Sequence, residues 1–161
     1  MLLLLASASA QNRKDLCHVY VVDVAKSRRI LNSFHETGNR EADAKTLSGG
    51  ETVFPQFQTI IGEEQPTTKT YKFPGANLFI TATVYYTDES MASSQGNDSM
   101  TLGIEVSRRA ARDALVGENN AMAEVTDNDA TDTVRAKKYV RVNRRLYLVG
   151  IECRCRERFS N

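Results

Sequence analysis

The chain contains no tryptophan, and only three prolines, three cysteines and two histidines in 161 residues. Each scarcity excludes something. Three cysteines are too few for the disulfide scaffold of a miniature secreted domain, and none stands in the CxxC spacing of a zinc site, since the C-terminal pair reads Cys153-Arg154-Cys155. Two histidines, His18 and His35, leave little imidazole for acid–base or metal chemistry. An excess of one sign of charge is missing too. The 21 basic and 20 acidic side chains leave a net +1, so there is no global field of the kind that marks a nucleic-acid binder. No apolar run reaches the ~20 residues that a membrane-spanning helix requires. The motifs GxSxG, HExxH, the P-loop and GxGxxG are absent, which removes the commonest hydrolase and nucleotide-binding signatures.

What is present fits one ordinary domain, with 41% hydrophobic and 25% charged residues. The chain opens with four leucines and then alternates alanine and serine, so that Ala8 and Ala10 stand in the A-x-A spacing of a signal-peptidase site. The basic start of a signal peptide is missing, as it would be if the true start codon lay upstream. Residues 1–10 are therefore expected to be a truncated signal-peptide remnant, and 15–158 a single domain that works in the periplasm or outside the cell. Export makes a disulfide reasonable: Cys17 with Cys153 or Cys155 would tie the two ends together and leave one thiol over. Three buried reduced cysteines are the alternative.

Periodicity supplies the elements. Residues 17–24, rich in valine and tyrosine, read as a strand. Ile30, Leu31 and Phe34 form a helical stripe between Ala25 and Thr37, with Gly38 placed to end it. Asn39 caps a second helix through Leu47, in which Ala42 and Leu47 are expected to face the core. Val53, Phe54, Phe57, Ile60 and Ile61 surround Pro55, which predicts an irregular or edge segment. Residues 67–73 and 78–87 flank Pro74-Gly75-Ala76-Asn77 and predict a hairpin, with Ile80, Ala82, Val84 and Tyr86 inward and Thr81 and Thr83 on an outer side. Strand alternation returns over Thr101–Val106. Ser107 then caps an expected third helix through Val116, with Ala110, Ala111, Ala114 and Leu115 inward.

The C-terminal segment can be set in register. Asparagine tolerates the left-handed conformation that a two-residue turn needs, so Asn143-Arg144 predicts a hairpin in which opposed residue numbers sum to 287. That register gathers Val134, Ala136, Val140 and Val142 with Tyr147, Val149, Ile151 and Cys153, and sets Arg135 against Glu152. A slip by one residue would scatter the apolar set over both faces. Helices and strands are segregated rather than alternating, which predicts an α+β fold: a single domain, largely antiparallel sheet with two to three helices and the C-terminal β-hairpin.

Three constellations offer chemistry. The polar stretch 87–99 presents Asp88, Glu89 and Asp98 to sugar hydroxyls or a hard cation. The acidic turn at 126–132 offers Asp127, Asp129 and Asp132 as calcium ligands, although it lacks the sixth-position glycine and twelfth-position glutamate of an EF-hand. Charge is also uneven along the chain. Residues 1–134 carry 12 basic and 18 acidic groups, a net −6, and residues 135–161 carry 9 and 2, a net +7. Arg135, Lys137 and Arg141 share the outer face of the predicted hairpin with Tyr139, and Arg154, Arg156 and Arg158 continue along one side. Such a face can bind an anionic partner, or can simply protect an edge strand and pair with acids of the same chain.

These features favour a small exported binding domain without covalent chemistry, using Asp88, Glu89, Asp98, Tyr139, Arg141 and Arg156. The expected partner is a protein or an anionic envelope polymer, since an exported chain seldom meets nucleic acid, and no cofactor is expected. The alternatives are an extracytoplasmic hydrolase built on paired carboxylates and a structural module stabilised by calcium.

Overall fold

A computed structural model describes residues 14–60, 66–87, 99–114, 121–126 and 133–154. The chain runs β1 (Lys14–Asp23), α1 (Val24–Ser33), α2 (Arg40–Leu47), β2 (Glu51–Val53), β3 (Phe57–Ile60), β4 (Thr67–Lys72), β5 (Phe79–Thr87), β6 (Ser99–Ser107), β7 (Ala121–Thr126), β8 (Thr133–Val142) and β9 (Arg145–Arg154). The strands form two antiparallel sheets, so the α+β expectation holds. One sheet has the order β2-β1-β9-β8, with β3 also on β1, and the other has the order β4-β5-β6-β7. A single apolar cluster joins them, taking Cys17, Val19, Val21, Val149 and Ile151 from the first sheet and Ile80, Val84, Leu102 and Ile104 from the second. At one margin the Phe54 and Tyr71 rings stack 4.7 Å apart, and the Tyr71 hydroxyl donates to the Pro55 carbonyl.

The turns follow their residue chemistry. Asn143 and Arg144 both have positive φ, 50° and 69°, and β8 pairs with β9 from Thr133↔Arg154 to Val142↔Arg145 in the expected register. Gly75 takes φ +75° after Pro74, and the Ala76 amide donates to the Phe73 carbonyl, which makes the β4–β5 connection a type II turn. Pro55 interrupts the edge of the first sheet. Cys17 pairs with Phe57 and Tyr20 with Val53, so two residues of β1 face three residues, 54 to 56, and the segment bulges where proline has no donor to give.

Other expectations need correction. α1 ends at Ser33, before Gly38, because the Ser33 hydroxyl turns back onto the Arg29 carbonyl and Phe34 is extended. Leu31 is 63% exposed, so the half-buried stripe is Ser27, Ile30 and Phe34 instead. Asn39 does cap α2, accepting from the Glu41 and Ala42 amides, but Ala42 and Leu47 are exposed. No helix forms over 108–114. There the Ala111 and Ala114 amides donate to the hydroxyls of Thr81 and Thr83 at 3.0 and 3.1 Å. These backbone donors are committed across to β5, and the segment covers the supposedly outer side of that strand, leaving Thr81 and Thr83 fully buried.

Cys17 and Cys153 face each other on β1 and β9 and are joined by a disulfide across 136 residues of sequence. The open choice between Cys153 and Cys155 falls to Cys153. On the chain-entropy account, closing a loop of that length stabilises the fold by about 5 kcal/mol. We predict that Cys17→Ala/Cys153→Ala lowers the unfolding free energy by about 3 to 5 kcal/mol in urea titrations; a loss below about 1 kcal/mol would contradict the bridge. Arg144 bears the cost of a left-handed conformation, so Arg144→Gly should raise stability by about 0.5 to 1 kcal/mol in the same measurement.

Candidate functional site

Two polar arrangements stand out, one inside and one outside. Inside, Asp15 on β1, Thr59 on β3 and Tyr86 on β5 are buried between the sheets. The Tyr86 hydroxyl donates to the Asp15 carboxylate and lies 2.5 Å from the Thr59 hydroxyl. Burial makes this trio a clasp from sheet to sheet: each oxygen satisfies another that would otherwise be costly to desolvate. Asp15 and Thr59 are closed to solvent, which suits the clasp to holding the sheets together.

The outer arrangement covers the face of the first sheet that points away from the core. Because side chains alternate, β8 presents Arg135, Lys137, Tyr139 and Arg141 there, β9 presents Leu146, Leu148, Gly150, Glu152 and the exposed Arg154, and β1 presents Leu16, His18, Tyr20 and Val22. The registers place them in rows: Arg135, Glu152 and His18; Lys137, Gly150 and Tyr20; Tyr139, Leu148 and Val22. Gly150 is required by the middle row, since a Cβ there would run into the Tyr20 ring, which lies over it. That seat half-buries the Tyr20 phenol and raises its pKa, first by burial and then through the carboxylate of Glu152, while Arg135 pulls the other way. His18 and Tyr20 approach with ring centroids 6.0 Å apart.

The cations on this face are not alike. Arg135 is engaged, its Nε donating to Glu152 at 2.8 Å, which raises its pKa. Arg145, whose parity is that of the opposite face, pairs with Asp23, the cap of α1, at 3.2 Å. Lys137 and Arg141, on either side of Tyr139, have no ion-pair partner among the described residues, and Tyr139 itself is 63% exposed. The internal-pairing account of the basic hairpin therefore covers Arg135 and stops short of the two cations beside the ring. Edge protection is served by another residue. Lys138 shares the inward face with Val134, Ala136, Val140 and Val142, where burial lowers its pKa, and an inward-pointing charge discourages another strand from adding to an edge.

Of the residues expected to act, Tyr139 and Arg141 come together at the exposed β8 margin of this face, whose inner residues Val22, Leu146 and Leu148 are half-buried. Asp88, Glu89, Asp98, Asp127, Asp129, Asp132, Cys155 and Arg156 lie outside the described residues. Among the described residues no three His, Cys, Asp or Glu side chains gather to hold a metal ion, and no helix is long and apolar enough to cross a membrane. The sequence reading missed the seat of Tyr20 on Gly150, whose signal was a lone glycine within a strand. It also missed the Asp15 clasp, for which the only hint was a carboxylate two residues before an inward cysteine. No family model, curated protein or solved structure matches the chain.

Gly150→Ala should displace the Tyr20 ring into solvent. The expected result in an ultraviolet pH titration is that the Tyr20 phenol, identified by its loss in Tyr20→Phe, ionises closer to the ordinary value of ~10 in the alanine variant than in the parent. An unchanged titration would mean that the ring does not depend on the glycine.

Proposed function

We propose that the protein is an extracytoplasmic binding domain, periplasmic or secreted, that holds an anionic partner on the outer face of its C-terminal hairpin and performs no covalent chemistry. The observation that carries this reading is Tyr139, well exposed between two cations that no carboxylate among the described residues neutralises. A cation left unpaired beside an exposed aromatic retains its whole charge for an incoming ligand, and the ring adds a surface on which a ligand can stack. Location is supported from the other side of the same sheet. A disulfide persists in oxidising compartments and is rare in the cytosol, and the bridge between Cys17 and Cys153 joins the two strands at the centre of this face.

The reading predicts a positional charge effect. Lys137→Glu/Arg141→Glu and the control Arg29→Glu/Arg40→Glu on the helices change net charge equally. On a sulfonate cation exchanger the hairpin variant should elute at clearly lower salt than the control, because interaction at a concentrated patch is lost and not merely global charge. Coincident elution of the two variants would sink the proposal.

A further inference from the structure

We propose that the occupant of this face is a linear polysaccharide bearing carboxylate groups, laid along β8 with one sugar ring stacked on Tyr139; this rests on the anionic-partner reading above. Alternate residues of an extended strand recur about 6.8 Å apart, so Arg135, Lys137, Tyr139 and Arg141 make a row about 20 Å long at the margin of the sheet.

The distribution of charge in the second dimension selects among anionic surfaces. Moving across from β8, the neighbours in register are Glu152, Gly150, Leu148 and Leu146, and beyond them His18, Tyr20 and Val22. Acidic and apolar groups thus flank Arg135, Lys137 and Arg141 on their inner side, and the one other cation that β9 presents outward, Arg154, lies past the Arg135 end of the row. A lipid headgroup layer is a plane and gains most from basic groups spread over an area, whereas this arrangement is a line and suits a chain. Single-stranded nucleic acid is also a chain, but it is held by successive aromatic platforms on which base after base stacks, and β8 carries one aromatic. The compartment implied by the Cys17–Cys153 bridge further separates this protein from nucleic acid.

A pyranose matches what remains. Its C–H face covers an aromatic ring, while its hydroxyls and carboxylate lie at the rim. Lys137 and Arg141 stand one pleat before and one pleat after Tyr139, positioned for carboxylates on the neighbouring sugars. Arg141 offers the planar fork that receives a carboxylate through two hydrogen bonds, and Lys137 offers a point charge. Arg135, already held by Glu152, marks the end of the row.

Calorimetric titration of the full chain tests the assignment, using an oligogalacturonate, an uncharged oligogalactan of equal length, a single-stranded oligonucleotide, and vesicles containing anionic lipid. The expected result is binding to the oligogalacturonate and not to the galactan. Tyr139→Phe should retain it, whereas Tyr139→Ala and Arg141→Gln should each weaken it about tenfold or more. Both positions are exposed, so these variants leave the core intact, which unchanged thermal unfolding would verify. Binding to the oligonucleotide or the vesicles but not to the uronate overturns the polysaccharide assignment and leaves the anion-binding face standing. Binding to none of the four overturns both. Uronate binding that is indifferent to Tyr139→Ala overturns the stacked geometry and with it this proposal.

Discussion

The pairing of β1 with β9 brings together residues as far apart as Cys17 and Cys153, 136 positions distant in sequence, and at its other end lets Arg145 form an ion pair with Asp23. Everything in the first sheet hangs on it. β8 reaches the sheet only through β9, and β2 and β3 reach it only through β1. Eight register pairs from Leu16↔Arg154 to Asp23↔Tyr147 set both faces at once, burying Val19 against Ile151 and Val21 against Val149 while aligning Tyr20 with Gly150 outside. Contacts of such long range repay their loop-closure entropy late in folding. The Cys17–Cys153 bridge lies in this ladder, where a covalent link removes most of that entropy from the unfolded chain.

The same constraint links the interior to the candidate site. Asp15, Cys17 and Val19 point into the core from one side of β1, and His18, Tyr20 and Val22 point out from the other. A change in register would exchange the two sets, so the buried clasp through Tyr86 and the row of cations with Tyr139 are consequences of a single alignment. Rigid strands on a disulfide-tied sheet hold the side chains of β8 at fixed intervals. Such spacing is more readily matched by a repeating ligand than by a mobile or irregular one.

Much of the fold was legible because local signals and burial agreed. The hairpin at Asn143-Arg144 could be registered from sequence since only one alignment keeps Val134, Ala136, Val149 and Ile151 on one face. Pro74-Gly75 specified its turn, Asn39 its cap, and Pro55 its break in the edge. The failures have a common origin. Residues 107–114 carry an amphipathic alanine and arginine pattern that suits a helix, but the hydroxyls of Thr81 and Thr83, about thirty residues earlier, take the amides that would have begun one. Leu31 and Leu47 sit at helical spacing and yet remain exposed, because the sheets already form the core between themselves. Half of the site was visible as well: parity put Tyr139 and Arg141 on one face, but it gave no means of telling engaged cations from unpaired ones.

The sequence by itself determined β1, β4, β5, β6, β8 and β9, the alternation of their side chains, the turns at Pro74-Gly75 and Asn143-Arg144 and the concentration of positive charge in the last segment, since these depend on alternation, φ preferences and composition within a few residues. Tertiary structure alone decided which cysteine answers Cys17, as Cys153 and Cys155 have the same parity and only the β1–β9 register separates them. It likewise decided that Glu152 neutralises Arg135 while Lys137 and Arg141 stay unpaired among the described residues, and that Gly150 leaves room for Tyr20. Each of these depends on distances between strands that sequence spacing does not encode. The physical reason is that electrostatic pairing and steric fit act through space, whereas periodicity acts along the chain.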